Sequence, residues 1–366
     1  MKIGYLPLFI VTVLVGLLPV GIFNSLIDSL WHFKGNQLTQ QNFPFDDRLS
    51  KTNLLLKTYK TANYNCIVLG SSRSILMRPD YLRRDGDRCF NYSVHGGRAE
   101  EYIVYAQFIR SLGIIPERVY VAIDGFNFKS KIRSRGRKTQ DNIIQNRRII
   151  FPEPVHRTYL SWDIFRFNYR NIIEKRERSR QFYDTTFQGR IRKSLPDYKP
   201  EFKDDWKSLT CNIQKYQYYA SLNIIFREAT IIGYVPPISS WKMFNDFYTR
   251  NMVNCMLQNI GNIAKAYDHV YDFAMPSPIT NNPIHTYDGS HFDLPTQRDI
   301  ADVLLDQPKQ RENPFGYRVE GQRIDTYQKE FHGQMEKFLG NIQRNDLWTQ
   351  YLDMPEERTA STLKRP

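Results

Sequence analysis

The stretch Cys66-Ile67-Val68-Leu69-Gly70-Ser71-Ser72-Arg73-Ser74 decides how the rest of the chain is read. Its apolar run closed by Gly and Ser predicts a buried strand ending in a tight turn, with hydroxyls delivered at the strand's carboxyl edge. Open α/β sheets hold their ligands at that edge. A serine placed there becomes a nucleophile when a histidine reaches its hydroxyl and a carboxylate orients the histidine. Asp288-Gly289-Ser290-His291 supplies such a pair far downstream, with His285 as a weaker alternative base. On spacing alone, an ordinary strand–turn and a loop histidine bonded to its neighbour are equal competitors.

Outward from this turn, the pattern repeats. Residues 88 to 92 predict a second strand, ending in Ser93-Val94-His95-Gly96-Gly97-Arg98 and followed by a helix from Ala99 to Leu112. Val119 to Ile123 is strongly β-prone and ends in Asp124-Gly125-Phe126-Asn127-Phe128. Ala229 to Val235 and Val270 to Ala274 predict two more strands, with helices at 216–227, 244–266 and 296–305, the last capped by Thr296. Successive β–turn–α units predict an α/β fold built on a doubly wound parallel sheet of about five strands. Gly96 and Gly97 suit positive φ and close backbone approach at a βα turn. The same freedom lets an N–H point into a site. Asn127 has an amide N–H to offer a developing oxyanion, although Asp124 and Asn127 also read as plain caps of the next element.

No charged residue occurs from Ile3 to Ile27. At about 1.5 Å per residue this run reaches roughly 36 Å, enough to cross a bilayer core with some tilt. Lys2 precedes it and Asp28 follows, which favours the N-terminus inside and the remainder outside the cytoplasm. The apolar run is long for a cleaved signal and no A-x-A-like site follows it, so an uncleaved anchor at 1–28 is expected. Residues 29–61 read as a linker with a lead-in helix from Ser50 to Lys60. The sheet domain takes 62–128 and 194–305, and 306–366 reads as a polar extension with a helix from Ile324 to Leu339.

The formal charge of +13 is concentrated between Lys129 and Lys193, where 18 Lys and Arg face 6 Asp and Glu. This segment reads as a basic helical insertion whose aromatic part, Tyr159 to Tyr183, packs on the sheet through Ile164, Phe167 and Ile172. Charge runs are usually solvated faces; the sharper reading is a surface for anionic headgroups or an acidic polymer. An anchored, outward-facing domain excludes nucleic acid as the expected partner. None of the four cysteines forms a C-x-x-C pair or a cluster with zinc spacing, so no metal is expected. Cys66 and Cys89 read as small core residues. Whether Cys211 and Cys255 bridge in an oxidising compartment is open.

Taken together, the chain resembles the SGNH (GDSL-like) hydrolases and acyltransferases. Their Ser turn, second-strand Gly, G-x-N-D block and late D-x-x-H match in order Gly70-Ser71-Ser72, Gly96 or Gly97, Gly125-Phe126-Asn127-Phe128 and Asp288-Gly289-Ser290-His291. Ser71 and Phe128 stand where the family has Asp, which is similar to the membrane-anchored branch that works beside membrane-bound O-acyltransferases, as in teichoic-acid D-alanylation and alginate acetylation. The resemblance implies a flavodoxin-like SGNH fold and a serine acyltransferase or esterase without cofactor. Its catalytic residues would be Ser72, His291 and Asp288, with Gly96, Gly97, Asn127 and Arg73 around the oxyanion and substrate. It further implies a periplasmic domain on a single-pass inner-membrane anchor, an acyltransferase partner, and an exported polysaccharide or envelope polymer as substrate. A non-catalytic polymer-binding subunit is the reading from another class.

Overall fold

The computed structural model describes residues 5–84, 86–130, 158–172, 181–191, 197–305 and 315–354. In chain order, α1 (Tyr5–Ile27) and α2 (Asp47–Ala62) precede β1 (Cys66–Leu69), β2 (Cys89–Asn91), α3 (Ala99–Ser111) and β3 (Arg118–Ala122). Next come α4 (Trp162–Ile172), β4 (Gln181–Tyr183) and β5 (Gly189–Ile191), then α5 (Tyr216–Ile225), β6 (Thr230–Val235) and α6 (Val253–Ala264). The chain continues through β7 (His269–Asp272), α7 (Leu294–Leu304), β8 (Tyr317–Arg318), α8 (Ile324–Asn341) and α9 (Asn345–Leu352). These elements fall into two compact units, Met1–Ala62 with Lys138–Ser194, and Asn63–Arg137 with Leu195–Pro366.

In the first unit, α1 is a helix of 23 residues, long and apolar enough to span a membrane, and its apolar side chains stand exposed. Two expectations change here. Residues 29–46 are not a linker: Trp31 is buried against Tyr183 and Phe187, and Asn42 pairs with Tyr183 through N–H···O bonds of 2.8 and 3.0 Å. The aromatic segment is not one helix, since Gln181–Tyr183 is a strand. Among its described residues the helix is α4, which packs along α1, and the segment ends in the β4–β5 hairpin. Most of the basic run, 131–157, 173–180 and 192–196, lies outside the described residues.

The second unit is mixed α/β with a six-stranded sheet in the order β2-β1-β3-β6-β7-β8, parallel except for β8. Its strands read as near-continuous apolar runs because both faces are covered: Cys66 to Leu69 and Val119 to Ala122 are all fully buried. The five expected strands are present. The sixth, β8, arises from the polar C-terminal region and closes the edge with two antiparallel residues, too few to leave a pattern in sequence. The expected helix at 244–266 is interrupted by a π turn at Phe244–Tyr248 and by Asn251 at φ 51°, a left-handed position that stops a helix. The cap of α7 is Asp293, whose carboxylate accepts the Thr296 N–H; Thr296 is the residue capped.

Cys66 and Cys89 are not free core residues. They face each other in register on β1 and β2 and are joined, as are Cys211 and Cys255. Each bridge closes a loop of 23 or 44 residues, and such closures stabilise by roughly 3–4 kcal/mol.

At the carboxyl end of β7, the Asp272 carboxylate accepts the Tyr327 hydroxyl at 2.6 Å and the Ala274 N–H at 2.7 Å. Burial pushes its pKa up from 3.8 to about 6, against the lowering by these hydrogen bonds. The folded state thus favours the protonated acid, so stability is highest below pH 4 for this group and is lost as pH rises through 6. The full effect is about 3 kcal/mol. Urea unfolding of wild type and Asp272→Asn between pH 5 and 8 is expected to show the wild type weakening with pH relative to the variant; parallel curves would refute the assignment.

Candidate active site

The turns that follow β1, β2, β3 and β7 all emerge at the carboxyl edge of the sheet. After β1 the chain enters a short 3-10 turn, Ser72–Ser74, capped by Ser71, whose Oγ accepts the Arg73 N–H at 3.3 Å. Asn91 on β2 fixes that turn from below by donating to the Ser74 and Met77 carbonyls at 2.8 and 2.7 Å. Ser72 is thereby lifted to a half-buried position at the start of the turn.

Opposite it, residues 286–292 form a clasped loop. Thr286 and Phe292 make an antiparallel bridge, and the Thr286 hydroxyl donates to the His291 carbonyl at 2.9 Å while accepting the Gly289 N–H at 3.0 Å. Gly289 has φ +80° and lies so close to the Tyr198 ring and Ser239 that no side chain fits. Its carbonyl accepts the Ser239 N–H at 2.8 Å. Inside the loop, Asp288 Oδ1 accepts the N–H groups of Ser290 and His291 at 2.9 and 3.0 Å. Asp288 Oδ2 is left for His291 Nδ1 at 2.8 Å, and His291 Nε2 lies 2.8 Å from Ser72 Oγ. The Tyr287 ring stacks parallel on the imidazole at 5.4 Å.

Burial works to raise the Asp288 pKa, but the His291 hydrogen bond and charge and the two backbone N–H groups outweigh it and hold the carboxyl well below its usual range. Asp288 therefore stays an anion at any ordinary pH. An ionised carboxylate on Nδ1 fixes the tautomer that presents a lone pair at Nε2 toward the serine proton. His285, the alternative base, instead has Nδ1 3.4 Å from Asp293 Oδ2.

The remaining expected residues are placed less simply. Gly97 is required as glycine because a Cβ would stand 2.6 Å from the Gly70 carbonyl, but its N–H already bonds Val94 O at 3.0 Å, so the donor expected from it is spent inside the turn. Gly96, at φ +62°, is exposed. Asn127 is buried in the turn after β3, and its Nδ2 donates to Tyr219 Oη at 2.8 Å. Arg73 turns its guanidinium to Asp124, with Nε 3.6 Å from Oδ1, and lies over the Phe126 ring. Asp124 makes no capping bond with its side chain. Burial raises its pKa, partly countered by Arg73, the Ser71 hydroxyl and His291.

Asp124 reads in sequence as a cap, and the signal for more is a carboxylate directly after a fully apolar strand. Tyr219, Tyr287, Tyr198 and Ser239 leave no such signal, because each acts across a large separation or through a ring face, and Thr286 leaves none because its bonds to Gly289 and His291 depend on how the loop folds back. A cavity of about 530 Å³ between the 272–281 segment, 316–318 and α8 has no residue of this cluster in its lining.

The contrast between the two glycines gives a direct test. Gly97→Ala is expected to cost about 1–3 kcal/mol in urea unfolding, because the new methyl meets backbone rather than a flexible side chain. Gly96→Ala meets nothing within 4 Å and carries only the left-handed strain, about 1 kcal/mol. Equal costs would show that the Gly70 approach is not the constraint.

No protein-family model matches the chain, and no curated protein matches its sequence.

Proposed function

We propose that the protein is a membrane-anchored serine acyltransferase that carries an acyl group, acetyl in the simplest case, to an exported polysaccharide or envelope polymer. The observation that carries the reading is the unbroken chain Asp288 Oδ2, His291 Nδ1, His291 Nε2, Ser72 Oγ, with 2.8 Å at both of its hydrogen bonds. The strand order, reversing at β1, is that of flavodoxin-like doubly wound sheets, whose ligands sit at this edge. It supports the SGNH assignment, as do the four sequence blocks on the turns after β1, β2, β3 and β7.

In this reading Ser72 Oγ attacks the acyl carbonyl while its proton passes to His291 Nε2, and Asp288 stabilises the imidazolium. The oxyanion donors of this reading are the Ser72 N–H and the second Nδ2 hydrogen of Asn127, the first being given to Tyr219 Oη. Collapse expels the leaving group with the proton from His291. A sugar hydroxyl then gives its proton to His291 as it attacks the acyl carbon, and His291 returns that proton to Ser72 Oγ as the acyl group leaves on the sugar. Esterase action is the same sequence with water in the last step.

The apolar α1 supports a single-pass anchor, and the two disulfides support an oxidising, extracytoplasmic compartment for the second unit. The acyl donor in this reading is presented by a membrane-bound O-acyltransferase.

Incubation with a chromogenic acetyl ester and a polysaccharide acceptor is expected to give an acyl-enzyme on Ser72, seen by mass spectrometry, and acetyl on the polymer. Release of free acetate alone would assign esterase action. Ser72→Ala should abolish labelling. Asp288→Asn should lower kcat by about 10⁴, as expected when the orienting carboxylate is lost. Polymer modification in cells that survives Ser72→Ala would favour a binding subunit instead.

A further inference from the structure

Helix α4 is turned inside out. Its buried positions are Ile164 and the amides Asn168 and Asn171, whereas Trp162 and Tyr169 are 60% and 42% exposed. Trp162, Phe165 and Tyr169 recur at helical spacing and stack along one stripe, with ring centroids at 4.9 and 6.2 Å. A helix in water does the reverse, burying its rings and exposing its amides.

The place of this stripe says what covers it. Asn24, fully buried in the last turns of α1, donates to the carbonyls of Tyr159 and Ser161 at 2.9 and 3.1 Å and accepts from Asn168 at 3.0 Å. Phe23 meets Phe165 edge-on at 5.3 Å, and Gly21 leaves room for Leu160, itself 43% exposed. The start of α4 is thus pinned at the level of residues 21–24 of α1. The exposed apolar part of α1 below that level, Tyr5 to Ile22, is roughly 27 Å long, close to the ~30 Å hydrocarbon thickness of a bilayer. The aromatic stripe therefore falls where the hydrocarbon ends and the headgroups begin, the depth at which Trp and Tyr collect. Arg166 is exposed on the same helix, in the segment that carries 18 basic against 6 acidic residues.

We propose that α4 lies in the interface of an anionic bilayer beside α1, its Trp162–Phe165–Tyr169 stripe among the upper acyl chains and its arginines at the lipid phosphates. The proposal rests on α1 as a membrane span and is independent of the chemistry at Ser72. Two contacts at one depth then hold the first unit at a fixed tilt, which a lone span does not.

The test uses the full chain in vesicles of phosphatidylcholine, with or without phosphatidylglycerol, containing lipid brominated near the top of the acyl chain. Flotation with the vesicles and resistance to carbonate extraction read α1; a chain that fails these overturns the span and the proposal with it. In a chain that floats, bromine is expected to quench tryptophan emission, more strongly with phosphatidylglycerol, and Trp162→Phe is expected to remove most of that quenching at an unchanged unfolding midpoint. Arg166→Gln with Arg170→Gln should abolish the phosphatidylglycerol increment. Quenching that is the same in Trp162→Phe as in wild type overturns the placement. Trp162 emission that ignores bromine but follows the protein-to-lipid ratio assigns the stripe to a second copy of the chain, and also overturns it.

Discussion

The hydrogen bond from the Val94 N–H to the Gly70 carbonyl, 3.1 Å, is the contact on which the site's placement depends. It carries the β1–β2 pairing one step beyond the strands, continuing the Tyr92 N–H bond to Val68 O at 2.8 Å. The two turns are thereby drawn so close that Gly97 must lack a side chain. Ser71 and Ser72 follow immediately, so the direction in which Ser72 leaves the sheet is set by backbone that cannot shift. In the proposed reading this placement means that the ordering cost of the nucleophile is met once, in folding, and not at each encounter.

The partner side has a different origin. The His291–Ser72 contact joins residues 219 apart in sequence, and no helix or strand carries the histidine. The loop replaces regular structure with hydrogen bonds to its own side chains: Thr286 ties its two ends, and one oxygen of Asp288 binds two N–H groups. That leaves the other oxygen with a single direction, toward Nδ1. Orientation of the imidazole and rigidity of the loop are consequences of the same carboxylate.

These origins explain how much was legible in sequence. Five strands and their order along the chain follow from apolar runs ended by Gly, Ser or Asp, because burial on both faces leaves that imprint. That Ser72, Asp288 and His291 meet was legible from the order of the four blocks along the chain; spacing alone left a plain turn and a locally bonded loop histidine as equal readings. β8 was not readable, since two residues carry no period. The Cys66–Cys89 bridge was missed because each cysteine sits in an apolar run that burial alone accounts for; only the β1–β2 register brings them opposite each other. The helix at 244–266 failed because its amphipathic spacing continues across a π turn, which changes the backbone and leaves the apolar pattern almost unaltered. The role of 29–46 was hidden because its burial partners, Tyr183 and Phe187, lie in a distant hairpin.

The charges around Ser72 form a graded set. Asp288 is held as an anion by its hydrogen bonds, in direct contact with the imidazole. Asp124, behind the turn, is pushed toward its neutral form by burial and drawn back by Arg73 and by His291 itself. When a proton arrives on the imidazole, the nearer carboxylate answers through a formed hydrogen bond and the farther one through space, and each change favours the other. In the acyl-transfer reading both carboxylates stabilise the imidazolium that forms as Ser72 gives up its proton, and Arg73, tied to Asp124, offsets part of their negative charge. In that reading Asp288 answers the proton directly through its hydrogen bond to His291, and Asp124, whose charge is shared with Arg73, answers it at a distance.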